Sequence, residues 1–163
     1  METKIINAET EGVVRTEEGY KIEKIDFDGN VKIELDDLLV VEKGVKAKGW
    51  IEVRRGIKAG LGIKAGLGIE AGDGIEAGWG IEAGDGIQAG CEIQAGEGIQ
   101  AGTYISCGKR IFAGTSVYRD CDDADKTIRC QELRSGVICY GDLVLTGKEE
   151  PKDERKDTQE SQQ

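Results

Sequence analysis

The strongest constraint on this fold is that, from Ile57, the chain repeats every six residues. IKAGLG, IKAGLG, IEAGDG, IEAGWG, IEAGDG, IQAGCE, IQAGEG and IQAGTY follow one another without a gap. A short fixed period outranks other local signals, because each repeat is one structural unit that cannot bury its apolar face alone. The frame outlasts the close copies. It places Ile33, Leu39, Val45 and Ile51 at position one upstream, and Ile105, Ile111 and Val117 downstream. Residues 33–116 divide in this way into 14 hexads in one register.

The chemistry within a hexad is legible. Position one is branched and apolar, position three is almost always Ala, and position two between them is Lys, Glu or Gln. That alternation is the period of a very short strand with one buried face. Positions four to six are mostly Gly-x-Gly. Glycine adopts backbone angles closed to other residues, so a tight corner is expected there. A helix is excluded, because two interior glycines in every six residues would cost about 1 kcal/mol each relative to Ala.

A three-residue strand must pair with another coil of the same chain. Three hexads closing a triangle predict an all-β, single-stranded parallel β-helix, a β-solenoid with coils of about 18 residues. Each residue n then lies under n+18, roughly 4.8 Å away along the axis. Ile57 would lie under Ile75 and Ile93. A two-sided coil of about 12 residues is the rival, and would stack Ile57 on Ile69. Handedness stays open.

In its six-residue period and aliphatic anchor the chain resembles the left-handed β-helix of the hexapeptide acyltransferases, although their order is small-x-aliphatic and here it is Ile-x-Ala. In architecture, over roughly residues 33–147, it resembles the bactofilins, small bacterial filament proteins with a triangular β-helix and loose polar tails. These resemblances imply a β-helical rod. They bring no catalytic residue: hexapeptide acyltransferases rely on a His base and β-helical carbonic anhydrases on His zinc ligands, and this sequence has no His.

Composition narrows the function. With 163 residues and 5% aromatics, one domain with a thin aliphatic core is expected. The net charge of -10 argues against direct binding to nucleic acid or to an anionic membrane. No apolar run is long enough to span a bilayer, and no signal-peptide pattern follows Met1. Five cysteines without paired spacing point to a reducing compartment, the cytoplasm of a bacterial or phage-infected bacterial cell. No cofactor and no metal are expected. Cys107, Cys130 and Cys139 fall at position three, where Cys serves as a small core hydrophobe, while Cys91 and Cys121 fall at a corner and in a loop.

Four segments are expected. Residues 1–32 form a capping segment of short strands (KIINA, GVVRT, YKIEKIDF), since a solenoid must cover its first coil. Residues 33–118 form the repeat. Residues 119–147 form an acidic loop, RDCDDADKT, and an irregular terminal coil carried by Ile128-Arg-Cys130, Val137-Ile-Cys139 and Leu143-Val-Leu145. Residues 148–163 form a disordered polar tail.

Two surface features are candidates for function. Corner position five varies freely and carries Leu61, Leu67 and Trp79; an exposed Trp beside Leu is typical of an interface anchor. Glu70, Asp73, Glu76, Glu82 and Asp85 form an acidic band, with basic residues concentrated in the preceding coil. On the 18-residue stack Arg55, Lys58 and Lys64 lie against Asp73, Glu76 and Glu82, which reads either as cross-strand pairing or as a charged surface for a partner. The expected function is therefore a non-enzymatic scaffold that self-associates or binds a protein partner through its side. The alternative is a phage or mobile-element inhibitor whose acidic surface blocks a nucleic-acid-binding enzyme.

Overall fold

The computed structural model describes residues 1–116 and 122–147, and every regular element among them is a strand. Three short strands make each coil: β6 (Leu39–Val41), β7 (Val45–Ala47) and β8 (Ile51–Val53), then β9 (Ile57–Ala59), β10 (Ile63–Ala65) and β11 (Ile69–Ala71). Next come β12 (Ile75–Ala77), β13 (Ile81–Ala83) and β14 (Ile87–Ala89), followed by β15 (Glu92–Ala95), β16 (Ile99–Ala101) and the long β17 (Tyr104–Phe112). Successive coils pair in parallel. Ile57 is in register with Ile75 and Ile75 with Ile93, as are Ile63 with Ile81 and Ile69 with Ile87. The coil is therefore 18 residues with three faces, about seven turns in all, and a two-sided 12-residue coil is excluded.

The core is what the alternation requires. The Ile and Ala columns are buried on every face, position two stays on the outer side, and no polar or charged residue is buried among those described. Cys107 and Cys130 take the Ala position in the core, and burial raises both thiol pKa values above the usual range.

The repeat glycines serve a different purpose from the one their conformational freedom suggests. None between Ile57 and Tyr104 has positive φ. The constraint is close approach of adjacent coils. A Cβ on Gly60 would lie 2.2 Å from the carbonyl oxygen of Glu42, and one on Gly78 would lie 2.2 Å from that of Gly60. Position six is looser: a Cβ on Gly62 or Gly80 would stand 3.1 or 3.2 Å from the carbonyl above. Glu92 and Tyr104 accordingly replace glycine at position six, while position four stays glycine from Gly60 to Gly108.

The ends depart from the frame. β3 (Gly19–Ile22), β4 (Ile25–Phe27) and β5 (Asn30–Ile33) form a first coil beneath β6, β7 and β8. Val31 pairs with Ile51 and Ile33 with Val53, an offset of 20 residues, so Ile33 occupies position three and not position one. The solenoid thus begins at residue 19, and the cap proper is β1 (Thr3–Ile6), which pairs with β5, and β2 (Val14–Thr16), antiparallel to β3. At the other end β18 (Thr127–Cys130) stacks on β16, β19 (Glu132–Tyr140) follows β17 around a corner with register shifts, and β20 (Asp142–Leu145) stacks on β18. Those shifts set Ile138 against Ile111, so Val137 and Cys139 are exposed and Cys139 is not a core residue. Val117, Cys121 and the expected polar tail lie outside the described residues.

Candidate functional site

Corner residues stack into three ridges, each linked by backbone hydrogen bonds from one coil to the next. One ridge runs Lys43, Leu61, Trp79, Glu97; the Trp79 N–H donates to the Leu61 carbonyl at 3.4 Å. A second runs Arg55, Asp73, Cys91, Lys109, and the third Gly49, Leu67, Asp85, Thr103. Position five lies at the apex of the turn and so points away from the core. Trp79 is accordingly 54% exposed and Leu61 37%. Leu67 is also exposed but stands on a different ridge, one corner away from the other two.

The acidic band is largely neutralised by the coil beneath it. Arg55 reaches Asp73 at 3.3 Å, Lys58 reaches Glu76 at 2.8 Å, and Lys64 pairs with Glu82. All six side chains are substantially exposed, so each pair contributes only a few tenths of a kcal/mol. Glu70 and Asp85 have no ion pair among the described residues. At the foot of the Trp79 ridge, the Lys43 ammonium donates to Glu23 at 2.6 Å; this bond lowers the Glu23 carboxyl pKa and raises that of Lys43.

Where charged position-two residues face each other in register they are mostly of opposite sign, as Asp26 with Lys46 and Lys32 with Glu52, with two exceptions. Lys46 is in register with Lys64, and Glu52 with Glu70. Like charges directly across a ladder are unfavourable. Both exceptions flank a side groove that contains a tryptophan. Lys24, Lys43, Lys46, Lys64 and Trp79 line the first, a groove of about 430 Å³. Glu70, Asp85, Leu67, Trp50 and Tyr104 line the second, about 310 Å³ in volume.

Trp50 and Tyr104 are the residues that the repeat reading missed. Both stand at hexad position six, in one column with Gly68 and Gly86 between them. The glycines leave a floor and the aromatics form its two ends; the Tyr104 ring lies where a Cβ on Gly86 would be, 2.4 Å away. An aromatic at position six, repeated three coils later across two glycines, is the signal that could have found this groove. The Tyr104 ring already carries a cation, with the Arg134 guanidinium 3.7 Å from its centre. The eight candidate residues are therefore divided between grooves. Trp79 and Glu82 border the first, Leu67, Glu70 and Asp85 the second, and Asp73 and Glu76 a third alongside Arg55 and Lys58, while Leu61 crowns the Trp79 ridge.

Chemically these grooves offer aromatic surface, ammonium groups and carboxylates on a rigid frame. Among the described residues no group of three or more His, Cys, Asp or Glu is placed to hold a metal ion. Comparison with protein-family models, with curated proteins and with solved structures finds no match.

Proposed function

We propose that this protein is a non-enzymatic scaffold, bactofilin-like in its rod architecture, that works in the cytoplasm and binds a protein partner through its side, with Trp79 as the anchor. The observation that supports this reading most is the Trp79–Leu61 ridge. It places the largest exposed apolar side chain among the described residues beside a second one, at the rim of a groove lined by four lysines together with Asp26, Glu82 and Glu97. A rigid aromatic with a charged surround is the composition of an interface hot spot. Lys24 and Lys46, which make no ion pair among the described residues, fit a partner segment that carries a carboxylate beside an apolar residue.

The test is Trp79→Ala. An outward corner residue supports no core, so the thermal midpoint is expected to stay within a degree or so of the parent. Affinity for the partner captured from native lysate is expected to fall by about 2 kcal/mol or more. Unchanged affinity would remove Trp79 from the interface and this reading with it.

The second reading, an inhibitor that uses its acidic surface against a nucleic-acid-binding enzyme, draws support from Glu70 and Asp85 in the Trp50–Tyr104 groove. It draws little from Asp73, Glu76 and Glu82, which cations in the preceding coil already hold. Glu70→Lys with Asp85→Lys separates the two readings without breaking an ion pair. Binding to a basic partner is expected to weaken sharply, and the affinity that remains to become less salt-dependent, if the acidic surface acts. A contact centred on Trp79 is expected to be unmoved.

A further inference from the structure

The Trp50–Tyr104 groove brings negative charge together without a cation of its own. Its ends are the two aromatics, three coil rises apart, which is roughly 14 Å of ladder. Between them lies the glycine floor: Gly86 is buried under the Tyr104 ring, while Gly68 stays partly open. One wall is the corner ridge, where Asp85 stacks on Leu67. The other wall is the sheet face, where Glu70 stands in register between Glu52 and Gln88. Lys32 reaches Glu52 at 3.8 Å, but Glu70 and Asp85 have no ion pair among the described residues. The groove beside Trp79 contains lysines, and the one beside Asp73 and Glu76 contains Arg55 and Lys58. No Lys or Arg lines this one. The in-register step from Glu52 to Glu70 is unfavourable as it stands, and a cation laid beside it relieves the repulsion.

We infer that this groove binds a linear aliphatic polyamine, a methylene chain with ammonium groups at intervals. Charge complementarity sets the sign of the ligand, and the spacing of the carboxylates sets its shape. Glu70 and Asp85 stand on opposite walls in successive coils, with the apolar surface of Leu67 and Gly68 beside them. A compact inorganic dication needs several oxygens converging on one point, and no group of three or more His, Cys, Asp or Glu among the described residues provides that. A single Lys or Arg side chain of a protein brings one charge to two carboxylates. A polyamine brings an ammonium to each and lays its methylenes over Gly68 and Leu67. Trp50 and Tyr104 then offer aromatic surface to the charges at either end. Tyr104 already attracts a cation, Arg134, which is not among the residues that line the groove. The volume of about 310 Å³ suits a small molecule. This site does not depend on the Trp79 contact, and its ligand competes with any basic partner that uses Glu70 and Asp85.

Titration calorimetry of the full chain with spermidine as the probe, at a fixed ionic strength of about 0.15 M, tests this. Saturable binding with a dissociation constant below about 1 mM is expected. Trp50 and Trp79 are the two tryptophans of the chain, so in a Trp79→Phe background fluorescence reports this groove alone, and it is expected to change with the same constant. Glu70→Gln with Asp85→Asn alters two outer residues, keeps the circular dichroism spectrum, and is expected to weaken binding at least about tenfold. Asp73→Asn with Glu76→Gln removes the same charge from another groove and is expected to leave binding unchanged. Butylamine, with one charge, is expected to bind at least about tenfold more weakly than spermidine. Absence of saturable binding, binding that leaves Trp50 fluorescence unmoved, or equal losses in the two double variants would each overturn the inference. So would magnesium or butylamine that matches spermidine. N-acetylarginine amide binding as tightly as spermidine would also overturn it, by making the occupant a protein side chain.

Discussion

Gly78→Ala is expected to lower the free energy of unfolding by about 3 kcal/mol or more, while Gly80→Ala, two residues away in the same corner, costs less than about 1 kcal/mol. Helix or turn propensity does not distinguish these positions, since both are repeat glycines without positive φ. The difference lies in what the new methyl meets. At Gly78 it would stand 2.2 Å from the Gly60 carbonyl oxygen, a backbone atom. That oxygen cannot retreat alone, because its neighbours are held in the ladder: the Gly78 N–H donates to the Ala59 carbonyl at 2.9 Å and the Trp79 N–H to that of Leu61. Relief requires two coils to separate at one corner, which stretches hydrogen bonds over an Ile column. At Gly80 the methyl would stand 3.2 Å from the Gly98 carbonyl, and a shift of a few tenths of an ångström relieves it. Urea denaturation of both variants measures the contrast. Equal losses, or a tolerant Gly78, would show that corners breathe and that close approach is not why position four is glycine.

The contrast bears on what a repeat reveals. The triangular coil, the Ile and Ala columns and the three cation–carboxylate pairs across coils were legible because one residue spacing sets them all: once n lies under n+18, Lys58 must meet Glu76. The frame failed where this spacing lapses. Ile33 looked in phase because it is aliphatic and a multiple of six from Ile51, but the first coil is two residues longer and pairs Val31 with Ile51 instead. Its corners lack the Gly-x-Gly that marks phase elsewhere, so nothing local signalled the slip. Cys139 was misplaced for the same reason, since the register shifts between β17 and β19 move the inward position to Ile138. The candidate surface was half legible. Trp79 over Leu61 follows from the period, whereas the groove bounded by Trp50 and Tyr104 depends on residues more than fifty positions apart that each replace a glycine.

Ile75→Ala is expected to be the most damaging change among the repeat side chains, at about 4 kcal/mol, and Leu143→Ala the mildest among inward aliphatics, at about 1 kcal/mol. Ile75 is 1% exposed and stacked in register between Ile57 and Ile93. Truncation removes the transfer free energy of its outer carbons and leaves a void, and the void cannot close. The two flanking coils are set apart by the ladder spacing, and the only other inward residue of that strand is Ala77, too small to fill the space. A solenoid also has no remote core to compensate, because each coil touches only its neighbours and a weak central coil divides the stack into two shorter ones. Leu143 stands at the open end with solvent on one side, so its truncation loses less buried area and leaves no enclosed cavity. Urea denaturation of the two variants gives the cost of each. Ile75→Ala should in addition broaden the transition or split it in two. A single sharp transition with equal losses for both variants would show that the rod unfolds as one globular unit in which distance from the end does not matter.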